Sequence, residues 1–389
     1  MRIVIIGGGA IGCSAAYHLA THPGFAGEIT VVERDPTYAR ASSMLSASGI
    51  RQQFSTPISI RMSQYGLDFL RAAPTRLAVD GDRPDPAFKE HGYLFLATAA
   101  GLPVLRENVA LQRAEGAVVS LLDPAAIDAR WPWIATDGLA AGAFGERGEG
   151  SFDGPGLLQA LRRKARALGV RFIAQAAVGF VRDGPRVAGV RLADGAVLDC
   201  DQVAVTAGAW SGQVASWLGV VMPVVPRKRM VFVLDCRDKL PGCPLVIDPT
   251  GIWFRAEGTR FLAGRSPDEG EPDPDEPPLS VEEEMFTDDI WPVLAGRVPA
   301  FERVRVVSSW AGYYEMNLFD HNGIVGRHPA VPNAVFAAGF SGHGMQHSPA
   351  TGRGVAELLA AGRFTSLDLG PLGWERVLTN RPLWERNIV

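Results

Sequence analysis

The chain of 389 residues contains few cysteines, and those it has form no metal-binding or redox motif. Cys13, Cys200, Cys236 and Cys243 each stand alone, without a C-x-x-C pair. This spacing argues against a zinc site and against a thioredoxin-like redox pair, so no metal is expected. Isolated cysteines are typical of a reducing compartment, and we therefore expect a cytoplasmic protein.

The sequence also lacks long apolar runs and a strong excess of charge. No segment approaches the roughly 18 apolar residues of a membrane-spanning helix. The first apolar run ends at three glycines, unlike the core of a signal peptide. The net charge is −4 without a long basic run, which argues against nucleic acid as a partner. We therefore predict a soluble protein without a transmembrane segment, and a peripheral contact with the inner membrane stays open.

What the N-terminus does contain is a glycine-rich turn between an apolar strand and a helix. Residues 2–6 are apolar and largely β-branched, which predicts a buried parallel strand. A G-x-G-x-x-G follows, formed by Gly7, Gly9 and Gly12, and a second apolar run ends at Glu33. Such glycines let the backbone approach a pyrophosphate at a helix N-terminus, while the acid accepts hydrogen bonds from a ribose. The arrangement predicts a dinucleotide-binding Rossmann unit.

The remaining sequence changes character along its length, which indicates about two domains. Strands rich in β-branched and aromatic residues dominate residues 223–320, with one helix predicted at 281–294, whereas helices and buried strands dominate the flanking segments. We predict a mixed α/β and α+β fold, in which a Rossmann-type domain is interleaved with an antiparallel-sheet substrate domain. The predicted pieces are 1–80, 145–222 and 321–365 for the Rossmann-type domain, 81–144 and 223–320 for the substrate domain, and a C-terminal tail at 366–389.

Four motifs occur in an order that one family shares. They are the opening glycine motif, Ser42-Ser43, the Ala-Gly-Ala-Trp-Ser segment at 207–211 and the Gly-Phe-Ser-Gly-His-Gly segment at 339–344. Together they resemble the FAD-dependent D-amino acid oxidase superfamily, in the branch of sarcosine oxidase, glycine oxidase and dimethylglycine dehydrogenase. Residues 49–54, 226–229 and 385–389 further resemble the mitochondrial FAD-dependent oxidoreductase domain-containing subfamily and its bacterial relatives.

The resemblance implies a noncovalent FAD, since no cysteine stands near Ala311, where some relatives attach their flavin. The implied cofactor-binding residues are Gly7, Gly9, Ala10, Ile11, Gly12, Glu33, Arg34, Ser42, Ser43, Ser48, Gly49, Ile50, Val178, Ala207, Gly208, Trp210, Gly342, His343, Gly344, Met345 and Gln346. The sequence predicts a helix at 349–361, and the resemblance implies that its N-terminus points at the flavin and stabilises negative charge there. For the serine-rich stretch at 41–53, a plain loop remains the alternative.

The same resemblance assigns roles around the substrate. Arg51 falls where related amine oxidases place an arginine for the substrate carboxylate, which a guanidinium binds through two hydrogen bonds. An arginine paired to a surface acid is the alternative. His343 is expected to donate a hydrogen bond near the flavin or substrate, not to act as an obligatory base. Four aromatic residues are candidates for the pocket edge, with about two expected there: Trp253, Phe254, Tyr313 and Tyr314.

Three positions depart from the family pattern. Gln346 replaces a lysine that helps to hold the carboxylate in sarcosine oxidases, and Tyr313 replaces a common family arginine. With Arg51 and His343, these two residues complete the predicted catalytic set. Leu262 replaces the lysine that speeds the reaction with oxygen. Loss of that positive charge favours a dehydrogenase that passes electrons to a quinone or an electron-transfer flavoprotein.

The sequence therefore predicts an enzyme that oxidises the C–N bond of a small amino acid or N-methyl amino acid. Hydride would pass to flavin N5, and water would hydrolyse the imine. A hydrogen peroxide-producing amine oxidase, a flavin-bound assembly protein with little turnover and a nicotinamide dehydrogenase remain alternatives. The identity of the substrate and homo-oligomerisation stay open.

Overall fold

The computed structural model describes residues 1–266 and 278–387, which form two large sheets with helices against them. The strands are β1 (Arg2–Ile6), β2 (Glu28–Glu33), β3 (Gly49–Ile50), β4 (Tyr93–Ala97), β5 (Val119–Leu122), β6 (Ala141–Gly145), β7 (Gly150–Ser151), β8 (Arg171–Ala174), β9 (Ala177–Asp183), β10 (Arg186–Leu192), β11 (Val197–Asp199), β12 (Gln202–Val205), β13 (Val224–Asp235), β14 (Leu245–Ile247), β15 (Ile252–Glu257), β16 (Arg260–Arg265), β17 (Arg305–Asn317), β18 (Ile324–His328) and β19 (Val331–Ala338). The helices are α1 (Ala10–Ala20), α2 (Ser42–Leu45), α3 (Pro57–Arg76), α4 (Leu102–Ala114), α5 (Pro124–Arg130), α6 (Gly154–Ala167), α7 (Ser211–Ser216), α8 (Trp291–Arg297), α9 (Gly344–Ala361) and α10 (Trp374–Leu378).

The first sheet has the order β18-β19-β12-β1-β2-β8 and is parallel except for β18. Its strands are apolar on both faces because helices cover one side and the β9–β11 sheet contributes to the other. Alternate residues of β1 accordingly enter two cores, with Ile5 against α1 and α9 and Val4 on the opposite face. The predicted mixed fold class is confirmed. The sheet brings the ends of β1, β2 and β12 to one edge, where open α/β sheets bind ligands.

The second sheet is mostly antiparallel, with the order β17-β13-β16-β15-β14-β4-β6-β5. One face holds a core that includes Phe232, Phe254 and Phe301. The opposite face carries Tyr93, Trp253 and other apolar side chains. This second face lies towards the dinucleotide-binding edge of the first sheet, as the shared cavity described below shows. The exact division of the chain into two domains stays a prediction.

Two predicted helices differ from the observed ones. The helix predicted at 349–361 begins at Gly344, so Pro349 lies inside α9. Proline cannot donate to the carbonyl four residues earlier, and Ser348 Oγ donates to that Met345 carbonyl instead, at 2.9 Å. The helix predicted at 281–294 is a π-helical turn followed by α8. Among the described residues, no helix combines the length and apolar character that crossing a membrane requires.

Candidate active site

The turn after β1 contains three glycines of the motif. Close backbone contacts require glycine at two of these positions, whereas the third borders open space. Gly7 has φ +96°, and a Cβ there would lie 2.4 Å from the Thr206 carbonyl oxygen. A Cβ on Gly12 would lie 1.9 Å from the Gly7 carbonyl oxygen, so α1 needs glycine to pack against the turn. Within the described part of the chain, a Cβ on Gly9 would meet just Ser43 Oγ, at 3.2 Å. The open side of the turn therefore has room for a ligand close to the backbone.

Glu33 at the end of β2 is fixed beside this turn. Its carboxylate accepts hydrogen bonds from the N–H groups of Gly8 at 2.8 Å and Asp35 at 2.9 Å. Nearby, the Arg34 guanidinium stacks on the Trp210 ring at 3.7 Å. These contacts orient an acid and a flat ring towards the same space, as a nucleotide site requires.

A cavity of about 470 Å³ extends from the glycine turn to the second face of the antiparallel sheet. The predicted cofactor residues that line it are Gly7, Gly9, Ala10, Ile11, Glu33, Arg34, Ser42, Ser43, Ser48, Gly49, Val178, Ala207, Gly208, Trp210, Gly342, His343, Gly344, Met345 and Gln346. Gly12 and Ile50 do not. Gly12 faces the Gly7 carbonyl, and Ile50 is buried in the core around α3 and α6, which corrects its predicted contact with cofactor.

His343 is buried at the start of α9 with both ring nitrogens unbonded to any described residue. Its ring packs edge-on against Phe54 at 5.3 Å and His347 at 5.0 Å. Burial lowers the pKa of His343 well below its ordinary value, so the imidazole is neutral. A neutral imidazole offers one donor and one acceptor. Buried polar atoms are normally paired, and two unpaired ones facing a cavity fit a bound ligand.

Arg51 is buried and lines the cavity, which favours the predicted role in the site over pairing with a surface acid. Its guanidinium lies over the Phe54 ring at 4.2 Å, and its Nη2 donates to the Asn387 carbonyl. The Arg51 N–H donates to Gln346 Oε1 at 2.8 Å. Gln346 therefore holds the backbone of Arg51, a role that the sequence did not predict.

Three of the four aromatic candidates line the cavity, and the fourth, Phe254, does not. Trp253 and Tyr314 lie on the cavity face, whereas neighbouring Phe254 is buried in the opposite core against Phe301 at 5.1 Å. Successive residues of a strand point to opposite faces, so the predicted contact of Phe254 with the pocket is wrong. The Tyr314 ring packs on Gly342, where a Cβ would come within 2.4 Å.

Tyr313 lines the same cavity at its other end. Its hydroxyl accepts from Arg40 at 2.9 Å, and its ring packs edge-on against Trp210 at 5.4 Å. Ser42 Oγ donates to the Tyr313 carbonyl at 2.5 Å. These contacts place Tyr313 beside Ser42 and Trp210, two residues predicted to bind the cofactor.

Sequence reasoning missed several residues that line the cavity. Tyr93 on β4 and Arg229 on β13 line the cavity together with Tyr314. The Arg229 guanidinium lies over the Tyr314 ring at 5.3 Å. Burial raises the pKa of Tyr314, while Arg229 and Arg51 oppose that rise. Glu315 lines the cavity as a buried carboxyl group. The alternation of residues along β17 could have placed Tyr314 on one face, but no sequence pattern indicates a role for Glu315.

These observations together fit an FAD. The glycine turn leaves its backbone accessible, Glu33 stands at the end of β2, and the N-terminus of the 18-residue helix α9 opens onto the cavity. The unpaired nitrogens of His343 add buried donors and acceptors at the same place.

Comparisons with known proteins agree with this geometry. The family described as FAD dependent oxidoreductase matches residues 2–358. The chain is 44% identical to FAD-dependent oxidoreductase domain-containing protein 1 of Xenopus laevis, covering 100% of this chain and 84% of that protein. It is 26% identical to human mitochondrial sarcosine dehydrogenase, over 99% of this chain and 42% of that longer protein. L-proline dehydrogenase from P. horikoshii has a similar fold, with a TM-score of 0.85, 24% identity and 98% coverage of both chains. The resemblance found in the sequence is confirmed.

Proposed function

The chain belongs to the DAO family of FAD-dependent oxidoreductases, and on this premise we propose that it oxidises the C–N bond of a small amino acid or N-methyl amino acid. Bound FAD supplies a hydride acceptor at its N5 atom, and water hydrolyses the resulting imine. The observation that carries the proposal is a buried arginine, Arg51, in the cavity that the glycine turn and His343 also line. Relatives named for sarcosine and for L-proline oxidation support the substrate class.

Arg51 binds the carboxylate of the substrate in this proposal. A guanidinium in a buried site attracts a carboxylate strongly, because little water screens the two charges. Stacking on Phe54 and the hydrogen bond to the Asn387 carbonyl fix the guanidinium in place. Gln346 holds the backbone of the same residue. The position of the guanidinium is therefore fixed before the substrate binds, and the guanidinium orients the substrate through its carboxylate.

The remaining cavity residues have separate tasks. The glycine turn and Glu33 hold the dinucleotide, and the N-terminus of α9 stabilises negative charge on the reduced cofactor. Neutral His343 donates a hydrogen bond to cofactor or substrate. Trp253 and Tyr314 exclude water and form the apolar wall that receives the substrate.

We also propose that electrons leave to a carrier such as a quinone or an electron-transfer flavoprotein. Leu262 stands where sarcosine oxidases carry the oxygen-activating lysine. It packs with Trp253 and Val231 on the cavity face of the sheet. A neutral side chain there provides no electrostatic stabilisation for superoxide. The alternative of a peroxide-producing oxidase would need another cation for that purpose.

A substrate screen without oxygen tests the catalytic proposal. The purified FAD-bound protein is mixed anaerobically with a panel of amino acids and N-methyl amino acids, and the flavin absorbance is followed. Bleaching by one compound supports the proposal. Unchanged absorbance with every compound would favour the alternative, a flavin-bound assembly protein with little turnover. Chemical reduction of the same sample verifies that its flavin can be bleached.

A second experiment separates dehydrogenase from oxidase and needs no substrate. The flavin is reduced chemically without air, mixed with oxygenated buffer and followed as it reoxidises. Slow recovery supports transfer to a carrier, which quinone analogues added to the reduced protein would then accelerate. Fast recovery with oxygen alone would show that the protein is an oxidase.

A further inference from the structure

Glu315 on β17 is a buried acid with an unused oxygen. Its Oε1 accepts a weak hydrogen bond from the Phe340 N–H at 3.4 Å, while its Oε2 accepts no hydrogen bond from residues 1–266 and 278–387. Burying a carboxyl oxygen without a partner is costly, and such atoms are rare in folded proteins. An oxygen left unpaired at the wall of a cavity indicates a role towards whatever fills that cavity.

The carboxyl group lies between two segments predicted to contact FAD. A Cβ on Gly344, the first residue of α9, would lie 2.8 Å from Glu315 Oε1. A Cβ on Gly208, in the turn after β12, would lie 3.9 Å from Oε2. Gly208, Gly344 and Glu315 all line the cavity. Glycine at both positions leaves the carboxyl group accessible from the side of the cofactor.

The surroundings of Glu315 bring its pKa close to neutral pH, so that a nearby change in charge can change its protonation. Burial raises the pKa of Glu315 to about 7, and the N–H groups of Gly339 and Phe340 oppose that rise in part. The titratable and charged side chains nearest to it along the neighbouring elements are Arg227, Lys228 and Arg229 of β13, Tyr313 and Tyr314 of β17, and His343 and His347 at the start of α9. His343 is neutral, and burial, opposed by the two N–H groups, sets the upward direction of the pKa shift of Glu315.

We propose that Glu315 takes up one proton when the flavin is reduced. Hydride transfer from the amine brings two electrons and one proton to the flavin, which leaves it with an added negative charge. That charge disfavours an ionised carboxylate nearby. A proton from water then binds the Glu315 carboxylate, forming a neutral carboxylic acid, and the site avoids two buried negative charges. The proposal depends on FAD binding, and it does not depend on the identity of the substrate.

Redox titration of the FAD-bound protein tests this proposal. The midpoint potential is measured with dithionite and mediator dyes from about pH 5 to about pH 9, for wild type and Glu315→Gln. Below pH about 7, both proteins should bind the same number of protons on reduction, because Glu315 is already protonated. Between that pH and the higher pKa that Glu315 acquires beside the reduced flavin, wild type should take up about two protons per electron pair and the variant about one. Identical pH dependence in the two FAD-bound proteins would overturn the proposal.

Glu357→Gln is the matched control. Glu357 is also buried on the element that begins at the cavity, but it is paired with Arg353 at 3.1 Å and lies outside the cavity. Hydrogen bonds from Thr365 and Ser366 help to lower its pKa against the effect of burial. It therefore stays ionised in both redox states. Its variant should retain the wild-type pH dependence, and a change equal to that of Glu315→Gln would contradict a specific role for Glu315.

An infrared measurement keeps the proposal testable if Glu315→Gln binds no FAD. The difference spectrum of wild type, reduced minus oxidised above pH about 7, should gain the C=O band of a newly protonated carboxylic acid. Glu315→Asp, which retains a carboxyl group, should keep a band at a shifted position. Absence of any carboxylic acid band in wild type would overturn the proposal. Since no amine substrate is used, failure here is distinct from failure of the proposed catalytic function.

Discussion

The guanidinium of Arg51 donates to the main-chain carbonyl of Asn387, which lies 336 positions later in the chain. The side chain of Asn387 also donates to the Gln53 carbonyl at 3.2 Å. The C-terminal tail therefore forms part of the wall behind the residue proposed to bind substrate. Access to the guanidinium is restricted to the cavity side, where a carboxylate can reach it.

Replacement of Arg51 should weaken the recognition of a carboxylate. A hydrogen bond to a charged group contributes about 1.5–3 kcal/mol, so Arg51→Gln should lower kcat/KM by about 10- to 150-fold. Arg51→Lys should lose less, because it keeps the charge without the two-pronged geometry. The measurement compares each amino acid found in the screen with the corresponding amine that lacks its carboxylate. Equal losses for both compounds would argue against carboxylate binding by Arg51.

The tail should be held mainly by Glu385. This buried carboxylate accepts hydrogen bonds from the Ser55 N–H at 2.8 Å, from Ser55 Oγ at 2.7 Å and from Thr56 Oγ1 at 2.9 Å. Glu385→Ala leaves buried donors unpaired and should lower the free energy of unfolding by about 1–3 kcal/mol. Arg386→Ala is the control, since its side chain is exposed and should change stability by less than about 0.5 kcal/mol. Urea unfolding measures both, and equal effects would refute anchoring by Glu385.

Substitutions at two glycines of the turn should distinguish an effect on folding from an effect on FAD binding. A Cβ on Gly12 collides with the Gly7 carbonyl, so Gly12→Ala should destabilise the protein even without FAD. Gly9→Ala should leave the apoprotein about as stable as wild type, because its Cβ meets just the Ser43 hydroxyl at 3.2 Å among the described residues. It should nevertheless weaken FAD binding, since that space faces the cavity. Thermal unfolding of the apoproteins and FAD titration provide the comparison, and wild-type FAD affinity in Gly9→Ala would contradict this assignment.

A cation at position 262 should speed the reaction with oxygen. Leu262→Lys places an ammonium on the cavity face of β16, where it would stabilise developing superoxide. The rate of flavin reoxidation should rise at least about tenfold, by analogy with other single electrostatic contacts in active sites. Leu262→Met controls for altered packing. Unchanged reoxidation in a folded, FAD-bound Leu262→Lys protein would remove Leu262 as the basis for the dehydrogenase proposal.

Local patterns in the sequence were sufficient for the fold class and the dinucleotide motif. The apolar run at 2–6, the glycine spacing and Glu33 predicted β1, the turn and the end of β2, because each depends on neighbours within about 30 residues. Alternation along β15 is also a local pattern, and it places Trp253 and Phe254 on opposite faces, which makes the prediction of one pocket for both residues wrong. The sequence predicts the start of α9 too late, because proline is typical of the first turn of a helix, whereas Pro349 lies inside α9 and Ser348 bonds the carbonyl that it leaves free.

By itself the sequence determined the family, the flavin and the residues that its motifs contain, since these follow from short-range spacing. Tertiary structure alone decided which of those side chains meet. Arg51, Gln346 and Asn387 are hundreds of residues apart in sequence or lie on separate elements, and they come together only through packing of α9 and the tail against residues 51–56. The burial of Glu315 likewise depends on the loop before α9 closing over β17. Long-range packing determines which side chains are buried, and burial shifts their pKa values and so determines their charge.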